Sequence, residues 1–537
     1  MILLHMKVFI SLLFIVFSLI GIADSSFITY EKFAGIVPEC GVGFDCGTVL
    51  SSKWASIGPI PLSLLGLFYY STVFTLGILL VLEFEINTIV NKYLDKLKFP
   101  KNTILRTVTT TEAILLVTAF GFLFSLYLIG IMAFVIQAWC KYCIISAASS
   151  ILLFITSTIY FQIIEKRSPF IPKLLLFSFL GWGYKNFVKR IFFLLDAEDA
   201  HNTCTNFGKF LGTMSFTKWK TKLLFSFTHP ANTRVYNGIM FPNQVGLAAG
   251  FDYNGELTQI LPEMGMAWHT IGTVTYLPYE GNKKPRLGRF LESQSLLVNK
   301  GLKSLGARAI AQNLANLHFK IPTGISIAST NKHFNSDSEQ IIDILKTFKI
   351  FEQSRVNHSY YELNISCPNT FGGEPFTTPK RLENLLDALE KLKIKKPIFI
   401  KMPIDQSKKD TLDLLRIIDT HTIAGVIFGN LTKDKNNPDV TKNDREKWKT
   451  VKGNLSGKPT WNRSNALITL TRNNFGKRFT IIGTGGIFTG KDALEKIDKG
   501  ADLIQLITGM IFEGPQTVGE INLRLAQKNV GFNSKNL

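Results

Sequence analysis

Four apolar runs, approximately 6–23, 61–82, 112–136 and 139–164, all fall in the first third of a 537-residue chain. Each is close to the roughly 20 residues that a helix needs to cross the hydrocarbon core of a bilayer. Beyond residue 165 the composition becomes that of a soluble α/β protein with Gly-rich turns. A membrane part therefore precedes a globular part, and the length allows two or three domains with cores of their own. The first run is short and begins near Lys7, so it reads either as a cleaved signal peptide or as an anchor. No small-x-small cleavage pattern follows Ile22, which favours the anchor.

Loop charge sets the expected orientation. Lys92, Lys96, Lys98, Lys101 and Arg106 lie between the second and third runs, and Lys166, Arg167 and Lys173 follow the fourth, whereas 24–60 carries Lys32 and Lys53 alone. Basic loops stay in the cytoplasm. A multi-pass protein of the cell membrane is expected, with both termini and the globular part cytoplasmic and the cysteine-bearing loops extracytoplasmic. The net charge of +20 fits nucleic acid, anionic lipid or an acidic substrate. No helix-turn-helix, zinc-finger or aromatic RNA-binding pattern accompanies it, so the charge is assigned to topology and a lipid surface, with no nucleic-acid partner.

The six cysteines are unevenly placed: Cys40, Cys46, Cys140 and Cys143 in the membrane part, Cys204 and Cys367 in the rest. This suggests thiol chemistry at the membrane and a reduced compartment for the globular part. Trp139-Cys140-Lys141-Tyr142-Cys143 puts a Cys-x-x-Cys at a helix start. There the helix N-terminus lowers a thiol pKa, and the spacing permits a reversible disulfide. A second pair in a facing loop could pass electrons by exchange. Zinc binding and plain packing are the other readings of such a pair. Zinc is disfavoured because thiolate zinc sites are usually built in water-accessible modules, and no metal is assigned.

Cys40-x5-Cys46, Ser51-Ser52-Lys53-Trp54-Ala55, Ile60-Pro61-Leu62-Ser63-Leu64-Leu65-Gly66-Leu67 and Trp139-Cys140-x-x-Cys143 together resemble the vitamin K epoxide reductase family in its bacterial form, over about 1–165. The resemblance implies a transmembrane four-helix bundle with a quinone beside Cys140/Cys143. It also implies a Cys40/Cys46 pair that takes electrons from an extracytoplasmic thioredoxin-like or DsbA-like thiol protein. Many bacterial relatives carry a thioredoxin-like domain after a further span; none follows here, so a separate partner is expected.

A connector, 166–212, comes next. Its piece 170–177 is too short and too proline-marked for a span. Tyr184 to Leu195 sets Phe187, Val188, Ile191, Leu194 and Leu195 on one helical face, with Lys185, Lys189 and Arg190 near the other. Such a basic amphipathic helix either lies on an anionic membrane or packs on its own domain. Asp196 interrupts it, and 197–212 reads as a second short helix that contains His201.

Strand-like runs then alternate with helical ones at 245–248, 270–274, 324–328, 361–365, 398–401, 425–428, 480–483 and 503–506. Eight such units predict a closed (β/α)8 barrel over 213–537, a doubly wound sheet being the alternative. Gly483-Thr484-Gly485-Gly486 and Ile507-Thr508-Gly509 follow consecutive late strands, where such barrels commonly bind phosphate. After the fourth strand, Asn364-Ile365-Ser366-Cys367-Pro368-Asn369-Thr370 supplies a thiol framed by two carboxamides. Chemistry sits at the carboxyl ends of barrel strands, so Cys367 reads as a base beside a polar planar substrate, or else as a small buried hydrophobe. An unperturbed thiol, near 8.5, is mostly protonated at neutral pH.

Val245-Gly246-Leu247-Ala248-Ala249-Gly250-Phe251-Asp252, Ile271-Gly272-Thr273-Val274-Thr275, Gly281-Asn282-Lys283-Lys284-Pro285-Arg286-Leu287, the Asn364–Thr370 loop and the closing Gly cradle resemble dihydroorotate dehydrogenase, over about 184–525. The preceding Leu195-Asp196-Ala197-Glu198-Asp199-Ala200-His201 is similar to the membrane-associated, quinone-using class. The resemblance implies an FMN barrel preceded by a membrane-associated helical segment, oxidising dihydroorotate to orotate in pyrimidine biosynthesis. Ala249, Gly250, Thr273 and Asn364 would line the flavin, and Lys401 would meet its pyrimidine edge. Gly457, Gly486 and Thr508 would hold the phosphate, while Asn364, Asn369, Asn430 and Asn299 would grip the substrate. Cys367 stands at the base position, where this class normally has Ser.

The sequence departs from the family elsewhere. Tyr253 stands where the family has a substrate-binding Lys, Ser326 where it has a flavin-binding Asn, and Leu431 where it has a substrate-binding Thr. Asn299-Lys300-Gly301-Leu302-Lys303-Ser304 is one residue short of the family segment, and Lys300 or Lys303 is the nearby replacement for the missing cation. The expectation is a fusion of an outward-facing thiol:quinone oxidoreductase with a cytoplasmic FMN dehydrogenase. The alternatives are a barrel acting on a different cyclic substrate, or one that is an idle flavin scaffold.

Overall fold

The computed structural model describes residues 2–97, 108–161 and 170–530. The chain forms two compact units, one up to Pro172 and one spanning Lys173–Gly531.

In the first unit four helices form the frame: α1 (Ile2–Ala34), α2 (Leu62–Val81), α3 (Thr110–Gly130, extended by a wide-turn stretch Ile131–Ile136) and α4 (Lys141–Tyr160). All four carry apolar segments long enough to cross a membrane, at Lys7–Ala34, Leu62–Val81, Thr110–Ile136 and Lys141–Tyr160. Phe14, Tyr70, Val73, Ile114, Leu153 and Tyr160 pack in their shared core. Backbone and side-chain polar groups in hydrocarbon need partners inside the protein. The bundle supplies them between helices: Thr118 Oγ1 and Ser157 Oγ lie 2.9 Å apart, and Tyr70 OH donates to the Ser146 carbonyl at 2.5 Å. Gly21 leaves the space that the Tyr70 ring fills.

The first span is longer than the sequence suggested. The expected 6–23 run continues to Ala34, so Asp24, expected to open an outer loop, lies well inside α1. Lys98, Lys101, Arg106, Lys166 and Arg167, on which much of the orientation argument rests, lie outside the described residues. Lys173 is not a solvated loop charge: it is buried in the second unit and donates to the Leu223 carbonyl at 2.6 Å.

The connector also differs from expectation. Helix α5 (Phe170–Gly183) runs on through a wide-turn stretch, Tyr184–Val188, into Lys189–Leu194 as one rod. Pro172 falls in its first turn, where a missing N–H breaks no helical bond. Tyr184 OH donates to the Ile511 carbonyl at 2.7 Å and Lys189 Nζ to the Phe512 carbonyl at 3.1 Å. Tyr184 and Lys189 thus dock the rod on the barrel together with Phe177 and Phe193, while Phe187, Ile191 and Leu194 remain exposed. Two further helices follow: α6 (Ala197–Leu211), N-capped by Asp196, and α7 (Ser215–Phe225).

All eight expected strands form, as β1 (Val245–Leu247), β2 (Trp268–Val274), β3 (Thr323–Ile327), β4 (Tyr360–Asn364), β5 (Ile398–Met402), β6 (Gly425–Phe428), β7 (Thr480–Thr484) and β8 (Leu503–Leu506). They close into a barrel in chain order, every neighbour parallel. Side chains alternate along a strand, so each strand gives one set to the barrel interior and one to the surrounding helices. Trp268, Tyr360, Phe399, Ile427, Ile482 and Leu503 plug the interior near the strand starts. The Trp268 ring lies over Gly246 and the Tyr360 ring over Gly324. A three-stranded antiparallel sheet, Leu287–Phe290, Ser295–Val298 and Asn454–Leu455, is added outside the barrel.

Candidate active site

Above the aromatic plug the barrel interior turns polar. Two residues on from Tyr360, Glu362 points the same way, and Asn364 follows at the strand end. Asn364 Nδ2 donates to Thr273 Oγ1 at 2.9 Å, Thr273 Oγ1 meets Ser326 Oγ at 3.0 Å, and Ser326 donates to Glu362 Oε1 at 3.0 Å. Lys401 Nζ lies 3.7 Å from the same carboxylate oxygen, and both side chains are almost wholly buried. A Ser at position 326 thus sits against a carboxylate that the sequence reading did not single out. Its signal was available: in a closed barrel the residue two before a lining residue also faces the interior.

A cavity of about 1080 Å³ lies at these strand ends. It brings together Cys367, Asn364, Asn369, Asn430 and Lys401 with Ala249, Gly250 and Thr273 on its wall. Gly457, Gly486 and Thr508 line it as well. Gly457 and Gly486 have positive φ (78° and 73°), and a Cβ would strike the Gln294 carbonyl at the first and Trp461 at the second. Ser456 Oγ and Thr508 Oγ1 are 2.8 Å apart beside them. This end offers hydroxyls and bare backbone, which suits a phosphate; the buried Oε1 of Gln505, also in the lining, has no partner and suits a polar ring edge. The residues present therefore fit a flavin mononucleotide.

The carboxamides are held by hydrogen bonds within the protein. Asn430 Nδ2 donates to the Ser366 carbonyl (2.6 Å) and hydroxyl (2.8 Å), and Asn369 is fixed by Val298 and Asn454. Asn299 does not line the cavity: its Oδ1 accepts from Asn282 Nδ2 at 3.0 Å. Burial pushes the Cys367 thiol up to about 11, against the opposing pull of the Asn369 N–H and Lys401. The ordinary thiol value expected from sequence is thus displaced upward by desolvation.

Lys300 reaches the cavity, with its Nζ 5.3 Å from the centroid of the Tyr253 ring. Its charge is shared: Glu198 Oε1 lies 2.7 Å away, Glu198 also meets Arg286 Nε at 3.3 Å, and Lys303 stands at 3.9 Å. Burial opposes ionisation of Glu198, but the Lys300 hydrogen bond and the three cations hold its carboxyl below the usual range. His201 on α6 packs edge-on against Phe251 and Tyr253 and is pushed down to about 4, first by burial and then by Lys300, so it is neutral. From there the cavity continues between Phe179, Tyr184, Phe187 and Phe207 as an apolar passage.

The membrane unit has its own cysteine centre. Cys40 and Cys46 form a disulfide with Cα atoms 5.9 Å apart, and Cys140 and Cys143 are free. Cys140 is the N-cap residue of α4 and is fully buried. Its sulfur and those of Cys40 and Cys46 lie within 4.8 Å of one another, held by an Asp45 N–H donated to the Trp139 carbonyl at 2.9 Å. Zinc needs thiolates, and two of these three sulfurs are tied to each other. Cys143 instead lines a cavity of about 290 Å³ together with Asp24, Trp54 and Met132. Asp24 is the second residue the sequence reading passed over, although a carboxyl in an apolar span is itself a signal.

Comparison with known proteins agrees with this division. Residues 232–528 match the family model for dihydroorotate dehydrogenase, and residues 12–158 match that for the vitamin K epoxide reductase family. A dihydroorotate dehydrogenase (quinone) of Christiangramia forsetii is 33% identical over 358 residues, covering 65% of this chain and 100% of that protein. One of Sinorhizobium medicae is 32% identical over 351 residues, covering 63% of this chain and 90% of that protein. The solved DHODH from Eimeria tenella in complex with ferulenol shares the fold, with a TM-score of 0.53, 23% identity and coverage of 63% of this chain and 93% of that one. The chain belongs to the dihydroorotate dehydrogenase family and carries, ahead of its barrel, a domain of the vitamin K epoxide reductase family.

Proposed function

We propose that the barrel unit oxidises dihydroorotate to orotate, with FMN as carrier and a quinone as final acceptor. FMN, held by Ala249, Gly250, Thr273 and Lys401 at its ring and by Gly457, Gly486 and Thr508 at its phosphate, supplies the acceptor for the hydride from C6. Asn364, Asn369 and Asn430 orient the planar substrate. The Cys367 sulfur removes the C5 proton as a thiolate, and Lys300 faces the substrate carboxylate. The observation that carries this reading is the meeting of Cys367, three carboxamides and Lys401 in the cavity that also holds the Gly457–Gly486–Thr508 end. The exposed apolar face of the α5 rod favours docking on lipid, next to a quinone pool reached through the apolar passage.

The membrane unit is, on the same reading, a thiol:quinone oxidoreductase that supports disulfide formation. Its Cys40/Cys46 pair faces an extracytoplasmic thioredoxin-like protein and its Cys140/Cys143 pair faces quinone, with the barrel on the cytoplasmic side. The closeness of Cys140 to the Cys40–Cys46 disulfide supports exchange between the pairs.

One observation favours a second substrate: Glu198 neutralises much of Lys300, and Tyr253 replaces the family lysine, which suits a less anionic ring. Product formation from dihydroorotate against dihydrouracil, which lacks the carboxylate, separates the two. Faster turnover of dihydroorotate supports the first reading; faster turnover of dihydrouracil replaces it with the second.

A further inference from the structure

Helix α1 is apolar throughout its membrane-length segment, yet it carries Asp24 well inside that segment. The residue is 9% exposed, and its Oδ2 has no hydrogen-bond partner. Glu31 Oε2, two turns along the same helix, also lacks a partner but does not line the cavity that Asp24 faces, and buried Ser and Thr hydroxyls of the helix donate to carbonyls one turn back, as Ser18 and Thr29 do. A carboxyl in hydrocarbon is costly, and where one persists it faces an interior cavity or a partner. Asp24 faces a cavity. Cys143 from α4, Ile28 from α1, Gly66 from α2, Met132 from the α3 extension and Trp54 from the intervening loop line the same space of about 290 Å³. Gly66 keeps it open, because a Cβ there would press on Ser25 Oγ at 3.0 Å.

The chemistry of such a cavity is short of a proton carrier. A dithiol that passes two electrons to a quinone must also release two protons, and the quinone oxygens must receive two. The neighbouring titratable groups are committed or distant in role. Tyr70 OH on α2 donates to the Ser146 carbonyl at 2.5 Å, and Lys32 Nζ, two turns along α1, donates to the Leu50 carbonyl at 3.2 Å. Cys140 and Cys143 are the electron donors themselves, and the residues contributed by α3 and its extension, Ser125, Leu128, Ile129, Ile131, Met132 and Ile136, do not titrate. Asp24 is left.

We propose that Asp24 is the proton-transfer group of the quinone site in the membrane unit, a role that rests on the thiol:quinone reading above. As the Cys140 and Cys143 S–H bonds break and the S–S bond forms, two electrons enter the quinone. Asp24 gives its proton to one quinone oxygen and is reprotonated from the thiol pair, whose second proton reaches the other oxygen. The dithiol is oxidised to a disulfide and the quinone reduced to the quinol, with atoms and charge in balance.

The test uses the full chain in detergent, reduced with dithiothreitol, desalted under nitrogen and mixed with menadione, while free Cys140 and Cys143 are trapped with a maleimide over time. Asp24→Asn is expected to slow dithiol oxidation by about 100-fold or more, in the range of a positioned acid or base. Asp24→Glu should restore most of the rate. Reduction of the Cys40–Cys46 disulfide by dithiothreitol, which needs no proton at a quinone, should proceed in both variants as in the parent. Oxidation of the Asp24→Asn dithiol at the parent rate would overturn the role of Asp24. So would loss of both half-reactions in Asp24→Asn without recovery in Asp24→Glu, which would make the residue structural. A parent protein whose dithiol menadione does not oxidise would instead overturn the thiol:quinone reading itself.

Discussion

Cys140 lies within 4.8 Å of two other sulfurs, whereas Cys367 is framed by Asn364 and Asn369 in a cavity lined with carboxamides and a lysine. The same element thus meets two environments in one chain. At the mouth of the bundle a thiol has a disulfide to attack, so it can move electrons by exchange. In the barrel the nearest partners are hydrogen-bonding groups fixed by second contacts, so the thiol can take a proton from a held ring. The residue type is neutral between electron carrier and base; the neighbours decide. The same contrast holds for charge. Among the described residues the Asp24 carboxyl, whose Oδ2 has no hydrogen-bond partner, faces the bundle cavity without a cation beside it, while Glu362 in the barrel lies 3.7 Å from Lys401 and Glu198 on α6 lies 2.7 Å from Lys300.

The contrast breaks most visibly if the two sulfur centres depend on each other. Replacing Cys140 or Cys143 by Ser should abolish disulfide formation in a reduced partner, because a single thiol cannot close the pair. Orotate formation should be untouched, as measured on the same preparation. Collapse of both activities would show that the two centres depend on each other.

Next in size is the base. Cys367→Ala should slow flavin reduction by dihydroorotate about 100-fold or more and leave FMN bound, as read by stopped-flow absorbance. The pH dependence sharpens this. The reactive form is the thiolate and burial holds the thiol up at about 11, so the rate should climb from neutral pH toward 11 with no plateau near 8.5. Cys367→Ser should keep part of the activity, with the climb moved to still higher pH.

A smaller effect is expected at the substituted anion site. Lys300→Met removes a charge-assisted bond of about 1.5–3 kcal/mol, equivalent to a rise in KM for dihydroorotate of roughly 10- to 150-fold. The kcat should change less, since the proposed role of Lys300 is at the substrate carboxylate and not at the reacting carbons. An unchanged KM would remove Lys300 from the substrate site and favour the less anionic substrate.

Much of this arrangement was legible before the structure. The eight strands were readable because each is a short apolar run ended by a polar or Gly-rich loop, and buried parallel strands have that pattern. The Cys140-x-x-Cys143 motif was readable from spacing, and the Cys40–Cys46 pairing from the family resemblance. The α5 rod was not, because Pro172 reads as a break when it is the first turn that tolerates it. Glu362 was missed since a Glu in a strand usually marks a solvated face, and closure of the barrel turns that alternate position inward. Asp24 was missed because the apolar run was ended at the first charge, while the helix continues to Ala34. At Asp24 the charge marked the end of the expected run, whereas Glu362 lay within the expected 361–365 strand without being singled out; in the folded chain both face an interior.

The independence of the two redox centres is tested most directly by whether substrate electrons reach the flavin while the cysteine pair is left alone. Purified full-length protein, with its cysteines oxidised, is mixed anaerobically with dihydroorotate; flavin absorbance and the maleimide-reactive thiols at Cys140 and Cys143 are read together. Bleaching of the flavin with no new thiols at either cysteine is the predicted result. A flavin that stays oxidised, or thiols that appear in step with bleaching, would contradict it.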